Sequence, residues 1–303
     1  MTTSTEIKND DWSVGYFKEQ LVELEATLEK EEYEQLYWAN GTLVPREDWN
    51  KPWLEETGYR KVTGIGRWEA ARDYTTHVPN VEIVSREFRQ RVSEHIGGYS
   101  INDKELELSQ QFGTNVDSEK VQIVLEAGQQ YLDKMVFSGD GQLRGFFNHP
   151  DTLKSYSAYA FNSAATVAQI LAVLNDTGNA MRRLTRNIET PDTILIAQMT
   201  NDEIDFRRLS DFDNTSVLEY YLSKATYIKD VMPLLPLEGV GDGGSNVACY
   251  YKRDPNKIKF RITEPFSFKK WIELPRGMQR TARMKYGGLI IKRPYSVNWL
   301  HGL

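Results

Sequence analysis

The chain has 303 residues, 40% of them hydrophobic and 26% charged, with a net charge of -6 and a pI near 5.5. That is enough apolar material for a substantial core in one or two domains. The acidic balance argues against nucleic-acid binding driven by overall charge, although a local basic face is compatible with it. The one cysteine, Cys249, excludes an internal disulfide and a cysteine-rich zinc site. His77, His95, His149 and His301 show no metal-ligand spacing, so neither metal nor cofactor is expected.

Residues 1–12 are polar and carry no secretory-signal pattern. A helix is predicted from Val14 to Trp38, with Val14, Phe17, Leu21, Leu24 and Leu28 three and four apart and acidic residues on its other faces. Asn40-Gly41 stops it. Such a stripe suits either docking on the helix's own domain or an arm that reaches a neighbouring chain. Residues 42–58 show no period but hold Trp49 and Trp53, and five of the seven tryptophans fall within the first 68 residues. Aromatics on an irregular segment are either interface anchors or packed on their own body.

Residues 59–100 read as a long extended hairpin that is polar on both sides and therefore poor at standing alone. Arg60, Lys61, Arg67 and Arg72 make it basic, opposite in sign to the N-terminal helix. A short helix over Asn102–Gln111 precedes a long one from Ser118, with Val121, Val124, Leu125, Gly128, Leu132 and Met135 at helical spacing. Gly139 and Gly141 end that helix. The uncharged run Ser155–Asn175 holds too many polar groups to span a membrane and is read as a buried or half-buried helix over 163–185.

Pro191–Ala197 is a buried strand signal, and Asn214 or Thr215 is expected to cap a helix through Leu222. Strands over Val247–Lys252 and Lys257–Ile262 are joined by the turn Arg253–Asn256. Thr281–Tyr286 and Leu289–Lys292 are expected to form a hairpin about Gly287-Gly288.

Chemistry is sparse. Gly239–Gly244 fits G-x-G-x-x-G, but it leads into a strand and reads as a surface loop. His149 and Asp151 flank Pro150 as a nominal acid/base pair, with a local hydrogen-bonding role the better reading. The paired carboxylates Glu31-Glu32 and Asp202-Glu203 read as a helix face and a helix start. Cys249 sits in an apolar strand as a small hydrophobe.

Two stretches carry a resemblance. GDGQLRGFFNHPD (Gly139–Asp151), directly after a long helix, resembles the passage from spine helix to axial domain in tailed-phage major capsid proteins. ACYYKRDPNKIKFRITEPF (Ala248–Phe266) and RGMQRTARMKYGGLIIKRPYSVNWLHG resemble the C-terminal third of a branch of the same family. HVPNVEI (His77–Ile83), PDTILIAQM (Pro191–Met199) and SVLEYYL (Ser216–Leu222) fall in the expected order between and before them. The resemblance covers about residues 59–303 and implies the α+β Hong Kong 97-like capsid fold. On that mapping 1–58 is an N-terminal arm and 59–100 an extended loop. Residues 101–138 with 257–303 form a peripheral domain carrying the spine helix, and 139–256 an axial domain. It further implies a non-enzymatic subunit of a virion shell, assembled in the host cytoplasm. Pentamers and hexamers would enclose double-stranded DNA contacted non-specifically, with portal and scaffolding proteins and a cement or decoration protein as partners. Intersubunit contacts are expected at Phe17, Leu21, Leu24, Trp49, Trp53, Arg67, Trp68 and Arg72. The alternatives are an encapsulin shell and a soluble α+β enzyme using His149 and Asp151.

Overall fold

The computed structural model describes residues 36–66, 68, 80–112, 116–162, 164–210 and 213–303. Most of the N-terminal helix expected from Val14 lies outside them, but its expected end does not. Leu36–Gly41 is a run of turns rather than helix. The reason is burial: Trp38 is fully enclosed, stacked on Phe137 at 5.1 Å, and the Asp133 carboxylate accepts the main-chain N–H groups of Trp38 (2.6 Å) and Ala39 (2.8 Å).

The chain divides into two compact units. The first comprises Met1–Leu36, Glu94–Tyr131 and Phe266–Met284, of which residues 1–35 are not described. It contains strand β4 (Ser93–Asn102), helix α1 (Asp103–Phe112), most of helix α2 (Val116–Ser138), β12 (Ile272–Leu274) and the start of β13 (Gly277–Ile291). β4 and β12 both pair with β13, β12 antiparallel with Ile272 opposite Gln279. Polar side chains tie the helices to the strand. Lys120 donates to Glu105 (2.7 Å) and to the Ser100 carbonyl (2.9 Å), and the Tyr99 hydroxyl donates to Asp117.

The second unit comprises Tyr37–Ser93, Leu132–Pro265 and Lys285–Leu303. Its five-stranded sheet runs β5 (Leu153–Tyr156), β14 (Val297–His301), β10 (Val247–Tyr251), β6 (Thr193–Ala197), β9 (Asp230–Leu234). Every residue of β6, β10 and β14 is buried. Their continuous apolar runs are those of strands covered on both faces. On one face Ile194, Ile196, Ala248, Tyr250 and Leu300 pack in a core with α3 (Val167–Leu184) and α5 (Val217–Lys224). On the other, Tyr251 and Trp299 meet Phe146 edge-on at 5.5 and 5.3 Å. The remaining elements are β7 (Arg208–Ser210), β8 (Asp213–Ser216) and α4 (Gln198–Phe206).

Several expectations meet corrections here. Helix α3 begins at Val167 rather than near 163, because Thr166 and Gln169 form a reciprocal capping box. Helix α5 is capped by Ser216, whose hydroxyl accepts from the Glu219 N–H (3.1 Å), not by Asn214 or Thr215. Asp202 and Glu203 lie inside α4, which starts at Gln198. The strands expected on either side of Arg253–Asn256 are present, and they join different sheets: β10 the second unit's five-stranded sheet and β11 (Ile258–Phe268) another.

The hairpin expected about Gly287-Gly288 is absent; β13 runs straight through both glycines for 15 residues. Gly287 gives room to Thr57 and Arg261, since a Cβ there would lie 3.0 Å from Thr57 Cγ2. Gly288 has φ +83, an irregular left-handed step within the strand. β14 lies inside the second unit's sheet, and residues 285–303 group with 132–265.

The exit from α2 is as sharp as its glycines predict. Gly139 has φ +75 and a β-bridge to Arg144, and a Cβ on it would collide with the Leu143 carbonyl oxygen. The chain then doubles back, so that the Phe146 N–H donates to the Val136 carbonyl (2.8 Å).

Candidate assembly surface

The second unit carries an antiparallel hairpin, β2 (Glu56–Ile65) on β3 (Glu82–Arg91), with Tyr59 opposite Phe88 and Ile65 opposite Glu82. Of the stretch 59–100 expected as one hairpin, Ser93–Asn102 instead leaves to pair with β13. From Arg60 onward every described residue of β2, and Glu82–Arg89 of β3, is exposed. The exposed set includes Val62 (58%), Ile65 (61%) and Ile83 (73%). A two-stranded ribbon with apolar side chains in water on both faces is marginal by itself and calls for cover.

Its base is fastened firmly. Thr57 Oγ1 donates to the Gly287 carbonyl (2.8 Å), and the Arg261 guanidinium donates to the Gly58 carbonyl (2.9 Å). Arg261 is the junction. It is almost fully buried, lies 4.0 Å over the Trp49 ring, and donates through Nε to Glu47 (2.7 Å), which Lys259 also reaches at 2.9 Å. This works because β1 (Arg46–Asp48) pairs parallel with β11, setting Glu47 opposite Arg261. Burial pushes the Glu47 carboxyl up, but hydrogen bonds from Arg261 and Lys259 outweigh it and hold the group at about 2, below its ordinary 4.5. A second such centre lies at buried Glu189, which pairs with Lys257 and with Arg293 (2.7 Å). The partners are 214 and 212 residues apart at Glu47, and 68 and 104 apart at Glu189. No local sequence signal marks them.

Of the residues singled out from sequence, Trp49 is a half-buried platform under Arg261. Trp53 (72% exposed) and Trp68 (97% exposed) face solvent. Phe17, Leu21, Leu24, Arg67 and Arg72 lie outside the described residues. Sequence reasoning missed the pair of Trp38 and Asp133: Trp38 is expected at a helix end, and nothing local links it to a residue 95 positions away.

The residues of nominal chemistry are held locally. His149 Nδ1 accepts from the Asp151 main-chain N–H at 3.4 Å, and burial pushes the ring's pKa down. The Cys249 thiol is fully buried, which pushes its pKa up. Gly239–Gly244 is a loop closed by the Gly241 N–H donating to the Ser245 carbonyl (2.8 Å), and it leads into β10. Among the described residues no group of His, Cys, Asp and Glu is arranged to hold a metal, and no helix is long and apolar enough to cross a membrane.

An α+β body with a long helix and a base-clamped hairpin is the arrangement of the Hong Kong 97-like capsid fold. Solved structures support the fold. The chain is similar to the capsid protein of Myoviridae phage XM1 at TM-score 0.78 and 14% identity, covering 94% of this chain and 98% of that one. It is similar to the capsid of cyanophage P-SCSP1u at TM-score 0.60 and 11% identity, covering 94% of each. It is also similar to the capsid of the native GTA particle at TM-score 0.60 and 11% identity, covering 95% of this chain and 98% of that one. No curated protein matches the sequence. The family model for major capsid protein matches residues 66–303, and the chain belongs to that family. It is a shell-forming capsid protein of the tailed-phage type, a component of the virion, and the encapsulin alternative is not favoured.

Proposed function

We propose that the chain closes into pentamers and hexamers through heterologous ring contacts, which tile an icosahedral shell around phage double-stranded DNA. The family match over 66–303 carries this reading. The hairpin supports it, because its exposed apolar residues call for a neighbour's surface. Assembly takes place in the host cytoplasm, with scaffolding and portal proteins setting size and one vertex and a decoration protein as a further partner. The acidic net charge of -6 suits a container that contacts its DNA non-specifically. In domain terms, 1–58 is read as the arm and the β2–β3 hairpin as the extended loop. The unit of α1 and α2 serves as the peripheral domain, and the sheet of β6, β10 and β14 belongs to the axial domain.

Cryo-electron microscopy of particles from a phage lysate, with the chain identified by mass spectrometry, tests the proposal. Five- and six-fold capsomers built of this chain are expected. A particle whose shell is made of another protein refutes it. His149→Ala/Asp151→Ala is expected to assemble normally, which separates the shell reading from an enzyme using that pair.

A further inference from the structure

Strand β14 ends at His301, whose side chain is 1% exposed. In the sheet it stands between Val247 of β10 and Tyr156 of β5. Phe147 and Tyr156 flank its ring at centroid distances of 6.0 and 5.6 Å. Nδ1 accepts the main-chain N–H of Asp242 (3.4 Å), so the ring proton sits on Nε2. Nε2 has no hydrogen-bond partner among the described residues. The ring thus meets the loop Gly239–Ser245 as a neutral acceptor.

The loop is also tied down by the Tyr156 hydroxyl, which donates to the Asp242 carboxylate (2.9 Å), and by the Gly302 N–H, which donates to Ser245 Oγ (3.1 Å). Its outer end is open: Gly243 and Gly244 have φ +72 and +77, and a Cβ on either would meet nothing within 4 Å. The charged and titratable groups that face the His301 ring are Asp242 of the loop, 3.8 Å from Nδ1, and Tyr156 and Lys154 of β5. Strand β10 offers only Val247. A second proton on the ring would go to Nδ1, where it would point at the Asp242 N–H and end that bond. It would also charge an enclosed ring. Burial therefore pushes the His301 pKa below its ordinary 6.5; the Asp242 carboxylate opposes that shift and Lys154 adds to it.

We propose that His301 is an acid-released clasp: the neutral ring docks the loop Gly239–Ser245 on the C-terminal strand, and protonation of the ring frees the loop. The clasp is a property of the folded subunit and stands apart from the shell reading. The docked ring binds fewer protons than the undocked one. Docking is therefore complete above about pH 6.5 and weakens as the pH falls below it. A ring that stayed neutral while docked would let the undocked fraction rise about tenfold by pH 5.5. That is the ceiling, which attraction from Asp242 lowers and repulsion from Lys154 keeps up.

Amide hydrogen exchange of the full-length subunit at pH 7.5 and pH 5.5, read by peptide mass spectrometry and corrected for the intrinsic pH dependence of exchange, tests the clasp. The N–H groups of Gly239, Gly241 and Asp242 are hydrogen-bonded in the docked loop and report on it. At pH 5.5 the wild type is expected to lose protection there severalfold, up to the tenfold ceiling, while β6 and β10 keep theirs. His301→Gln can still accept from the Asp242 N–H but does not titrate, and is expected to show no such loss. Two exposed neighbours give opposite signs. Asp242→Asn removes the charge that favours a protonated docked ring and should enlarge the loss, whereas Lys154→Gln should diminish it. Nitrogen-15 spectra of the histidine-labelled subunit, with His301 assigned by its absence from His301→Gln, should show the Nε2–H tautomer at pH 7.5. An Nδ1–H tautomer overturns the inference. Equal protection at both pH values overturns it, as does a loss that persists in His301→Gln. If His301→Gln does not fold, the two surface variants decide, and a loss that they leave unchanged or shift in the same direction overturns the clasp.

Discussion

Glu47 gives the sharpest test of how the hairpin's base is held. Its carboxylate joins β1 to Arg261 and Lys259 on β11 and is held at about 2 against an ordinary 4.5. Because the folded value is depressed, the stabilisation is fully present above about pH 4.5 and is lost as the pH falls toward 2. At about 1.4 kcal/mol per pKa unit the ceiling is about 3 kcal/mol. The Glu47 side chain is 32% exposed, so solvent screening reduces this to about 1–2 kcal/mol. Glu47→Gln keeps the shape and removes the charge. At pH 7 the variant should be less stable by that amount, since it leaves the guanidinium of Arg261 buried without a counterion. Between pH 6 and pH 3 the wild type should lose about 1 kcal/mol more than the variant, roughly half of the whole effect. Urea unfolding of the unassembled subunit at both pH values, followed by tryptophan fluorescence, measures the difference. Identical acid dependence for wild type and variant would refute the argument, because every other titrating group is common to both.

Other outcomes follow from burial and backbone geometry. Deletion of 1–55 should abolish cooperative unfolding, because Trp38, Leu43, Val44 and β1 go with it; loss of the near-ultraviolet circular dichroism signal measures it. Gly139→Ala should destabilise by about 2 kcal/mol or more in the same urea assay, combining a left-handed φ of +75 with a backbone collision at Leu143.

The parts legible in the sequence were those set by local rules. Helix α2 declares itself through its apolar spacing, and its end through Gly139, because period and stop are both properties of adjacent residues. The strands β6 and β10 are continuous apolar runs for a reason visible in the fold: both of their faces are covered. Local rules failed where a distant segment decided the outcome. Gly287-Gly288 fits a two-residue hairpin turn equally well, yet Thr57 and Arg261 need the space against a straight strand. Arg253–Asn256 does turn the chain, but which sheet each flanking strand joins is settled by partners elsewhere in sequence. The Glu47 and Glu189 centres join residues 68 or more apart, and nothing in the spacing of charges announces them.

The hairpin separates two kinds of stability that mutation can tell apart. Its base is bonded to Gly287 and Arg261 within the unit, whereas the residues beyond Tyr59 make almost no cover for one another. Val62 and Ile83 are 58% and 73% exposed, so replacing both with serine removes little buried area from the isolated subunit. The expected change in subunit stability is within about 0.5 kcal/mol. In a shell the same side chains would lie against a neighbour, where each buried Val or Ile contributes about 1.5–3 kcal/mol. That contribution recurs in every copy, so a modest loss per subunit multiplies over a closed particle. Val62→Ser/Ile83→Ser should therefore unfold at the wild-type urea midpoint yet give markedly fewer particles by sucrose-gradient sedimentation. A lowered midpoint with normal particle yield would mean that the hairpin is packed by its own chain, and that its exposed face is not an assembly surface.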